Sequence, residues 1–247
     1  MEPKLLLLAL VVFLSYTVQT VTGFGSMILC VTIGAHLFPI EDVLTLVVPL
    51  SLAQTSYVVI RHRAGIDWRL LLTRVLPLMA VGVLLAQWLL TFVHEDNTMR
   101  LVFALLVLVL AGRELALLLR RRADVTSQPL HEAVAGGFLL SAGIVHGIYA
   151  SGGPLLVYVV NRKGLPKYQF RSTITTVWLT LNTVLCVVYA FKGRFSQGTA
   201  SDLLVLIPAI PAGIFVGEVL HKKVDERKFK LSVFSLLVVA AVVLLLR

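Results

Sequence analysis

TGFGS, at residues 22–26, interrupts a long apolar run near the start of the chain, and YASGGP, at residues 149–154, interrupts a second run in the same way. These glycine-rich stretches predict that a helix stops and restarts. Inside a bilayer, such backbone is tolerated only where it is buried in protein or lines a cavity, because its polar groups find no water in hydrocarbon. Two breaks at matching places in the two halves therefore indicate a transport site.

The composition around the breaks is typical of an integral membrane protein. Of 247 residues, 58% are hydrophobic and 14% are charged, and the mean hydropathy is +0.92. A soluble domain of this size does not need so much apolar surface. Runs such as 98–119, 200–220 and 230–246 approach the roughly 20 residues with which a helix crosses about 30 Å of hydrocarbon. The spans are therefore predicted to be helices.

The net charge of +9 comes from short basic patches between apolar segments. Such patches set membrane topology, whereas nucleic-acid binding would need a continuous basic face, so no nucleic-acid partner is expected. Cys30 and Cys186 fall inside predicted spans without a second thiol or His at ligand spacing, so we expect no disulfide, metal or cofactor. The N-terminal apolar segment lacks a clear cleavage site and is expected to remain in the membrane.

Both halves of the chain show the same predicted order of segments. The first half has a broken segment at 4–38 and helices near 41–61, 68–93 and 98–119. The second half has a broken segment at 131–162 and helices near 167–191, 200–220 and 226–246. We therefore predict an all-α polytopic membrane protein with two repeats, at 1–123 and 130–247. Each repeat is a broken helix or hairpin plus three transmembrane helices, which makes about eight hydrophobic segments.

Spacing supports the repeat. Pro39 follows Gly25 by 14 residues, and Pro166 follows Gly153 by 13. The third helix of each half carries two small residues four positions apart, which let helix backbones approach closely. They are Gly82 and Ala86 in the first half and Gly213 and Gly217 in the second.

Loop charges predict how the broken segments lie in the membrane. Basic residues cluster at 61–69, 120–122 and 222–230, and the positive-inside rule places these clusters in the cytoplasm. If the second broken segment crossed once, the basic residues at 162–171 and the 222–230 cluster would both lie outside. A hairpin that returns to its own side places both inside. Applied to each half, this predicts an external N-terminus and an inverted-topology repeat.

The breaks also predict the kind of ligand. A helix that restarts at mid-depth exposes the N–H groups of its first turn, and its dipole places partial positive charge there, so an anion is the natural ligand. Glycine allows close approach to the backbone, and Ser26 and Ser151 add hydroxyl donors. We expect the site where the two breaks meet. The alternative is that the glycines only allow close helix packing.

Polar side chains in the neighbouring helices complete the candidate site. Gln54, Thr55 and Asn182 lie at equivalent depths in the two halves, where they either contact the ligand or cross-link helices by hydrogen bonds. His146 precedes the second break and is either the carrier of a coupling proton or a structural hydrogen-bond donor. The substrate-binding candidates are Thr22, Gly23, Phe24, Gly25, Ser26, Gln54, Thr55, His146, Tyr149, Ser151, Gly152, Gly153 and Asn182.

Catalysis is not expected. Ser151, with His146 upstream, superficially matches an intramembrane serine hydrolase. However, a base five residues away on a helix does not face its nucleophile. The sequence has no HExxH motif and no acidic cluster for a metal.

Three motif groups carry a family resemblance. They are GFG at 23–25 with Pro39, QTS at 54–56 ahead of a basic loop and DW at 67–68, and SGGP at 151–154 with Pro166. Together they resemble the sulfite exporter TauE/SafE family over nearly the whole chain. That family usually has a longer glycine run in each break, whereas here Ser26 and Met27 stand in the first break and two glycines precede Pro154 in the second.

The resemblance implies a secondary transporter of small sulfur-containing anions, such as sulfite or organosulfonates, in the cell inner membrane. The expected coupling ion is H+, and the expected surroundings are the lipid bilayer, with a homodimer as an open alternative to a monomer. Two other interpretations stay open. One is a carrier or channel for an unrelated anion, and the other is a membrane scaffold without transport.

Overall fold

The computed structural model describes residues 3–22, 25–92, 96–119, 130–221 and 225–246, and within these ranges the chain is helical without a strand. The α-helices are α1 (Pro3–Thr22), α2 (Ser26–Gly34), α3 (Ile40–His62), α4 (Trp68–Leu70), α5 (Leu76–Leu89), α6 (Asp96–Leu119), α7 (Glu132–Tyr149), α8 (Gly153–Asn161), α9 (Lys167–Phe191), α10 (Gln197–Leu206), α11 (Ala209–His221) and α12 (Glu226–Leu245). A 3-10 turn covers Arg63–Gly65, and a π-helical segment covers Leu71–Val75.

Within the described ranges, seven helical segments are long and apolar enough to cross a membrane. They are Pro3–Val21, Ile40–Gly65, Trp68–Leu89, Leu101–Leu119, Glu132–Tyr149, Tyr168–Phe191 and Gln197–Leu220, and a shorter apolar stretch covers Phe234–Leu245. By contrast, α2 and α8 have 9 residues each. At 1.5 Å per residue they are about 13 Å long, too short to cross the membrane. The prediction of an all-α polytopic membrane protein is confirmed.

Prolines explain two departures from the predicted helix ranges. The segment predicted at 68–93 passes through the π-helical turn Leu71–Val75 just before Pro77 and ends at Leu89. Proline has no N–H for the carbonyl four residues earlier, and a wider turn absorbs that loss. The segment predicted at 200–220 is divided into α10 and α11 at the turn that contains Pro208. The same missing donor ends α10 there.

The chain divides into two compact units. Unit 1 comprises Met1–Leu50, Glu95–Val125 and Ser196–Arg247, and unit 2 comprises Ser51–His94 and Thr126–Phe195. The boundary passes through α3, so each unit takes segments from both sequence halves. The proposed repeats at 1–123 and 130–247, and their inversion, stay predictions.

In unit 1, α1 packs closely on α11, and α6 packs on α12. A Cβ atom placed on Gly213 would lie 2.8 Å from the carbonyl oxygen of Phe13, and one on Gly217 would lie 2.5 Å from the Cβ of Thr20. Real Cβ atoms do not approach so closely, so the contact requires glycine at both positions. The predicted small-residue face on this helix is confirmed.

In unit 2, α5 packs on α7 through the other small-residue face. A Cβ on Gly82 would lie 2.4 Å from the carbonyl oxygen of Leu140, and one on Gly143 would lie 2.3 Å from that of Met79. One turn further along, a Cβ on Gly147 would lie 2.5 Å from the Cβ of Ala86. The third helix of each half thus packs on a broken helix, α5 on α7 and α11 on α1.

Candidate functional site

The second break begins where α7 ends at Tyr149. Ala150 adopts a left-handed conformation, with φ 51° and ψ 23°, which stops the helix. The hydroxyl of Ser151 then donates to the carbonyl of Tyr149 at 2.8 Å. Gly152 precedes the first residue of α8 and has no side chain with which to cap it. The first N–H groups of α8 therefore have no side-chain partner from their N-cap residue.

After the break, α8 runs back along α7. A Cβ on Gly152 would lie 2.2 Å from the carbonyl oxygen of Ala142, and the rings of Phe138 and Tyr158 lie with centroids 4.9 Å apart. As residue numbers rise in α8, the contacted residues of α7 fall, so the two helices are antiparallel. The second broken segment is thus a helical hairpin within unit 2. Gly152 is required because the returning chain touches α7 backbone.

This break lies beside the middle of α9. The ring of His146 stacks on the indole of Trp178, with centroids 5.4 Å apart and planes inclined by 20°. A Cβ on Gly153 would lie 3.7 Å from the same indole. Trp178 therefore contacts the last turn of α7 and the first turn of α8. Because α9 is a membrane-length helix and Trp178 lies near its centre, the break is far from both ends of that helix.

His146 is the candidate histidine, and its ring lies next to this break. The His146 side chain is buried, with the residue 0% exposed. Neither nitrogen of its ring has a hydrogen-bond partner among the described residues. The side chain of Asn182 lies beside the ring, outside hydrogen-bonding geometry. A buried polar group without a partner costs free energy, so a compensating role for it is expected. A bound ligand would supply the missing partner.

Asn182 is held by α3. Its Nδ2 donates to the hydroxyl oxygen of Ser51 at 2.8 Å, while the hydroxyl of Thr55 donates to the carbonyl of Ser51 at 2.7 Å. Gln54 and Thr55 are both buried on this helix. The structure thus brings Asn182 to His146, and it commits the Thr55 hydroxyl to its own helix backbone. The ligand-binding roles of Gln54, Thr55 and Asn182 stay predictions.

Two hydrogen bonds that share the side chain of Gln87 link the C-terminal end of α9 to the last turn of α7. Nε2 of Gln87, on α5, donates to the carbonyl of Gly147 at 2.6 Å. Its Oε1 accepts from Nζ of Lys192 at 2.9 Å. Gly147 belongs to the last turn of α7, so this chain of contacts connects a lysine to the end of the broken helix.

The first break lies in unit 1. There α1 ends at Thr22, Gly25 has a φ of 101° that favours glycine, and α2 begins at Ser26. The hydroxyl of Ser26 donates to Oε1 of Gln19, one turn before the end of α1. The candidates Gly23 and Phe24 lie outside the described residues.

The two broken helices carry different polar side chains six residues before a glycine of the break. Gln19 lies six residues before Gly25, and His146 lies six residues before Gly152. In unit 1 this position holds a glutamine that bonds to Ser26, and in unit 2 it holds the histidine. This position therefore carries an imidazole in one broken helix and an amide in the other.

Sequence reasoning missed Trp178, Ser51 and Gln19 as neighbours of the breaks. Trp178 precedes Asn182 by four residues, which places both on one helix face, and Gln19 precedes Ser26 by seven, or about two turns. These two spacings could have predicted that Trp178 lies near Asn182 and that Gln19 lies near Ser26. By contrast, no residue pattern reveals that Ser51, rather than Gln54, would bond to Asn182.

Metal and redox chemistry find no support in the described part of the chain. No group of three or more His, Cys, Asp or Glu residues there could hold a metal ion. Cys30 and Cys186 are both free thiols. The described residues at the breaks offer backbone N–H groups, amides, hydroxyls and one imidazole.

Broken helices within a set of membrane-length helices define a class, the membrane transporters with discontinuous helices. The family model described as Sulfite exporter TauE/SafE matches residues 8–244. The chain therefore belongs to the sulfite exporter TauE/SafE family. It is a multi-pass protein of the inner membrane and a transporter, not an enzyme.

One curated relative extends this assignment. The probable sulfite/organosulfonate exporter TauE of Cupriavidus necator, strain H16, is 26% identical over 210 residues, which cover 81% of this chain and 77% of the relative. No solved structure is significantly similar to the chain.

Proposed function

We propose that the chain is a secondary transporter of sulfite or small organosulfonates and that it couples their movement to H+. Membership of the sulfite exporter family supports the anionic substrate, and the name of the Cupriavidus necator relative supports the sulfur-containing class. The observation that carries the proposal is the fully buried His146 ring beside the start of α8, whose two nitrogens have no hydrogen-bond partner among the described residues.

The start of α8 suits an oxyanion. Gly152 leaves the first N–H groups without a side-chain cap, and the helix dipole adds partial positive charge at this end. Pro154 contributes no N–H, so the backbone donors come from Gly153 and Leu155. A sulfite or sulfonate group presents several oxygens to such donors. Asn182, whose Nδ2 is bonded to Ser51, lies beside the His146 ring, and its amide oxygen has no hydrogen-bond partner among the described residues.

His146 supplies the proposed coupling. As a neutral ring it has one donor and one acceptor nitrogen, and as a cation it has two donors. Protonation would add positive charge next to the anion, so that proton and anion favour each other's binding. In unit 1 the matched Gln19 cannot titrate, and the break there serves as a neutral binding element.

Flux measurements with purified protein in proteoliposomes test this function. We expect saturable uptake of radiolabelled sulfite, inhibited by alkanesulfonates and less by acetate or phosphate. A channel for unrelated anions would give uptake that does not saturate at low substrate, and a scaffold would give none. A pH gradient, acid on the substrate side, is expected to drive accumulation of an alkanesulfonate. Accumulation that does not depend on the pH gradient would contradict H+ coupling.

A further inference from the structure

We infer that Trp178 forms an apolar subsite for the organic substituent of an organosulfonate beside the start of α8, and that Gly153 keeps this subsite open. The inference rests on the proposed transport of sulfite and organosulfonates. It makes two residues responsible for the relative affinity for these substrates, a role that the binding of an anion by the α8 backbone does not itself require.

The two glycines of the second break have different surroundings. A Cβ on Gly152 would lie 2.2 Å from the carbonyl oxygen of Ala142, so close packing requires glycine there. The nearest described atoms to a Cβ on Gly153 belong to the indole of Trp178, at 3.7 and 4.0 Å. These are ordinary van der Waals distances, and the φ of Gly153 is not positive. Neither packing nor backbone conformation therefore requires glycine at position 153, whereas room for a substrate would.

The first turn of α8 is accessible beside the indole. Ser151 and Gly152 are buried, but Gly153, Pro154 and Leu155 are half-buried. The space that a side chain of residue 153 would fill lies between this turn and the indole, and it is at least as large as a methyl group. A ligand bound to the backbone of the first turn would therefore reach this space.

The indole forms a fixed apolar wall of this space. Trp178 is 8% exposed, and its ring stacks on that of His146 with planes inclined by 20°. Burial and stacking together hold the orientation of the indole. Its atoms nearest to a Cβ on Gly153 are Cζ2 and Cη2, which belong to the hydrocarbon edge of the ring. The space at Gly153 is thus bordered by carbon rather than by a polar group.

The chemistry of the two kinds of substrate fits this arrangement. Sulfite and a sulfonate share three oxygens on sulfur, and they differ at the fourth position, where sulfite has a lone pair and a sulfonate has a carbon substituent. When the oxygens face the N–H groups of Gly153 and Leu155, the fourth position points away from these donors. A substituent that packs on the indole edge is removed from water, which favours its binding.

Inhibition of sulfite uptake tests the subsite in proteoliposomes that contain the full chain, at one fixed pH. Methanesulfonate and ethanesulfonate have the same head group and charge and differ by one methylene group. We expect the inhibition constant of the wild type to be about fourfold lower for ethanesulfonate, as burial of one methylene would cause. Equal constants would overturn the inference, while saturable sulfite uptake would still support the proposed function. Absence of sulfite flux in the wild type overturns both.

Gly153→Ala and Trp178→Leu change the subsite from its two sides. In Gly153→Ala the new methyl group fills the space without a clash. We therefore expect the inhibition constant of ethanesulfonate to rise about tenfold relative to the half-saturation concentration of sulfite, since the loss of room for one carbon atom discriminates at least this strongly. In Trp178→Leu the indole edge is lost, so the difference between methanesulfonate and ethanesulfonate is expected to disappear. A merely structural role would weaken the binding of all three anions alike.

Phe138→Leu is the matched control. The ring of Phe138 joins α7 to α8 through the ring of Tyr158, about three turns before the end of α7. We expect this variant to keep the wild-type ratios between the three anions. If Trp178→Leu yields no folded protein, Gly153→Ala decides, because its Cβ lies at an ordinary distance from the indole. Wild-type ratios in Gly153→Ala, or equal changes in Phe138→Leu, overturn the inference.

Discussion

The imidazole of His146 and the indole of Trp178 form a stacked pair with centroids 5.4 Å apart. The pair connects the last turn of α7 to the middle of α9. Because Trp178 also lies against Gly153, one side chain contacts both pieces of the broken helix. The stack covers one face of the His146 ring, and the ring nitrogens are the atoms with which the residue can bind a ligand or a proton.

Replacement of His146 by glutamine tests whether this ring carries the coupling proton. His146→Gln keeps a polar side chain but removes titration, so we expect the pH dependence of flux between about pH 5 and 8 to flatten. An alkanesulfonate is the suitable substrate, because its own charge is constant over this range, unlike that of sulfite. Uptake at a series of external pH values gives the profile.

The matched control is His131→Gln at the exposed start of α7, which we expect to keep the wild-type profile. A profile that is equally steep in wild type and His146→Gln would exclude the ring as proton carrier. Such a result would favour the alternative of a structural histidine.

Gly152 is expected to tolerate no side chain. In Gly152→Ala the new Cβ would lie 2.2 Å from the Ala142 carbonyl oxygen, so α8 must move away from α7. Forced overpacking of this kind costs about 1–3 kcal/mol. Since the first turn of α8 is the proposed binding element, we expect sulfite flux to fall at least about tenfold, as a misplaced binding group would cause. Membrane insertion is expected to remain normal.

The control for this substitution is Gly137→Ala in the same broken helix. A Cβ on Gly137 meets nothing within 4 Å, so this variant is expected to keep wild-type flux and stability. Wild-type flux in Gly152→Ala would remove the second break from the site.

The positions of the breaks were predictable from sequence, because several glycines close together inside an apolar segment disfavour a continuous helix. The helix ends at Thr22 and Tyr149 and the restarts at Ser26 and Gly153 agree with the predicted gaps at 22–26 and 149–154. The hairpin form of the second segment also agrees with the loop charges, since α8 returns along α7. The small-residue faces, read from spacing alone, proved to be close helix contacts.

The partners of the polar side chains were less predictable. Equal spacing suggested that Gln54, Thr55 and Asn182 share a depth, but hydrogen bonding depends on the rotation of each helix, which spacing within one helix does not reveal. Thus Asn182 bonds to Ser51, which lies one turn before Thr55 on α3. Ser26 and Ser151 were expected to present donors to a ligand; in the structure their hydroxyls donate to Gln19 and to the Tyr149 carbonyl, and their ligand-binding roles stay predictions.

Asn182 permits a test that separates binding from structure. Asn182→Ala removes the hydrogen bond to Ser51 and also the amide oxygen beside His146. Ser51→Ala removes the same hydrogen bond and keeps the Asn182 amide oxygen. If Asn182 contacts the anion, Asn182→Ala is expected to weaken sulfite binding more than Ser51→Ala does, while the two variants lose similar stability, about 0.6–2 kcal/mol. Substrate-dependent thermal shifts of purified protein measure both quantities. Equal effects on binding would assign Asn182 to helix cross-linking.

Gly143 decides between the two roles that glycine can have in this protein. In Gly143→Ala the Cβ would lie 2.3 Å from the Met79 carbonyl oxygen, so α5 and α7 must separate. This contact lies before the break and not at it, so we expect a loss of about 1–3 kcal/mol in stability, seen as a lower Tm in detergent. The half-saturation concentration for sulfite in the surviving folded protein should stay within about twofold, because uniform loss of folded protein lowers the maximal rate only. The neighbouring Gly136→Ala, whose Cβ would meet Leu78 at an ordinary 3.8 Å, serves as control. If Gly143→Ala and Gly152→Ala raise the half-saturation concentration alike, the glycines at the break differ in no way from those that pack helices, and the binding role of the break fails.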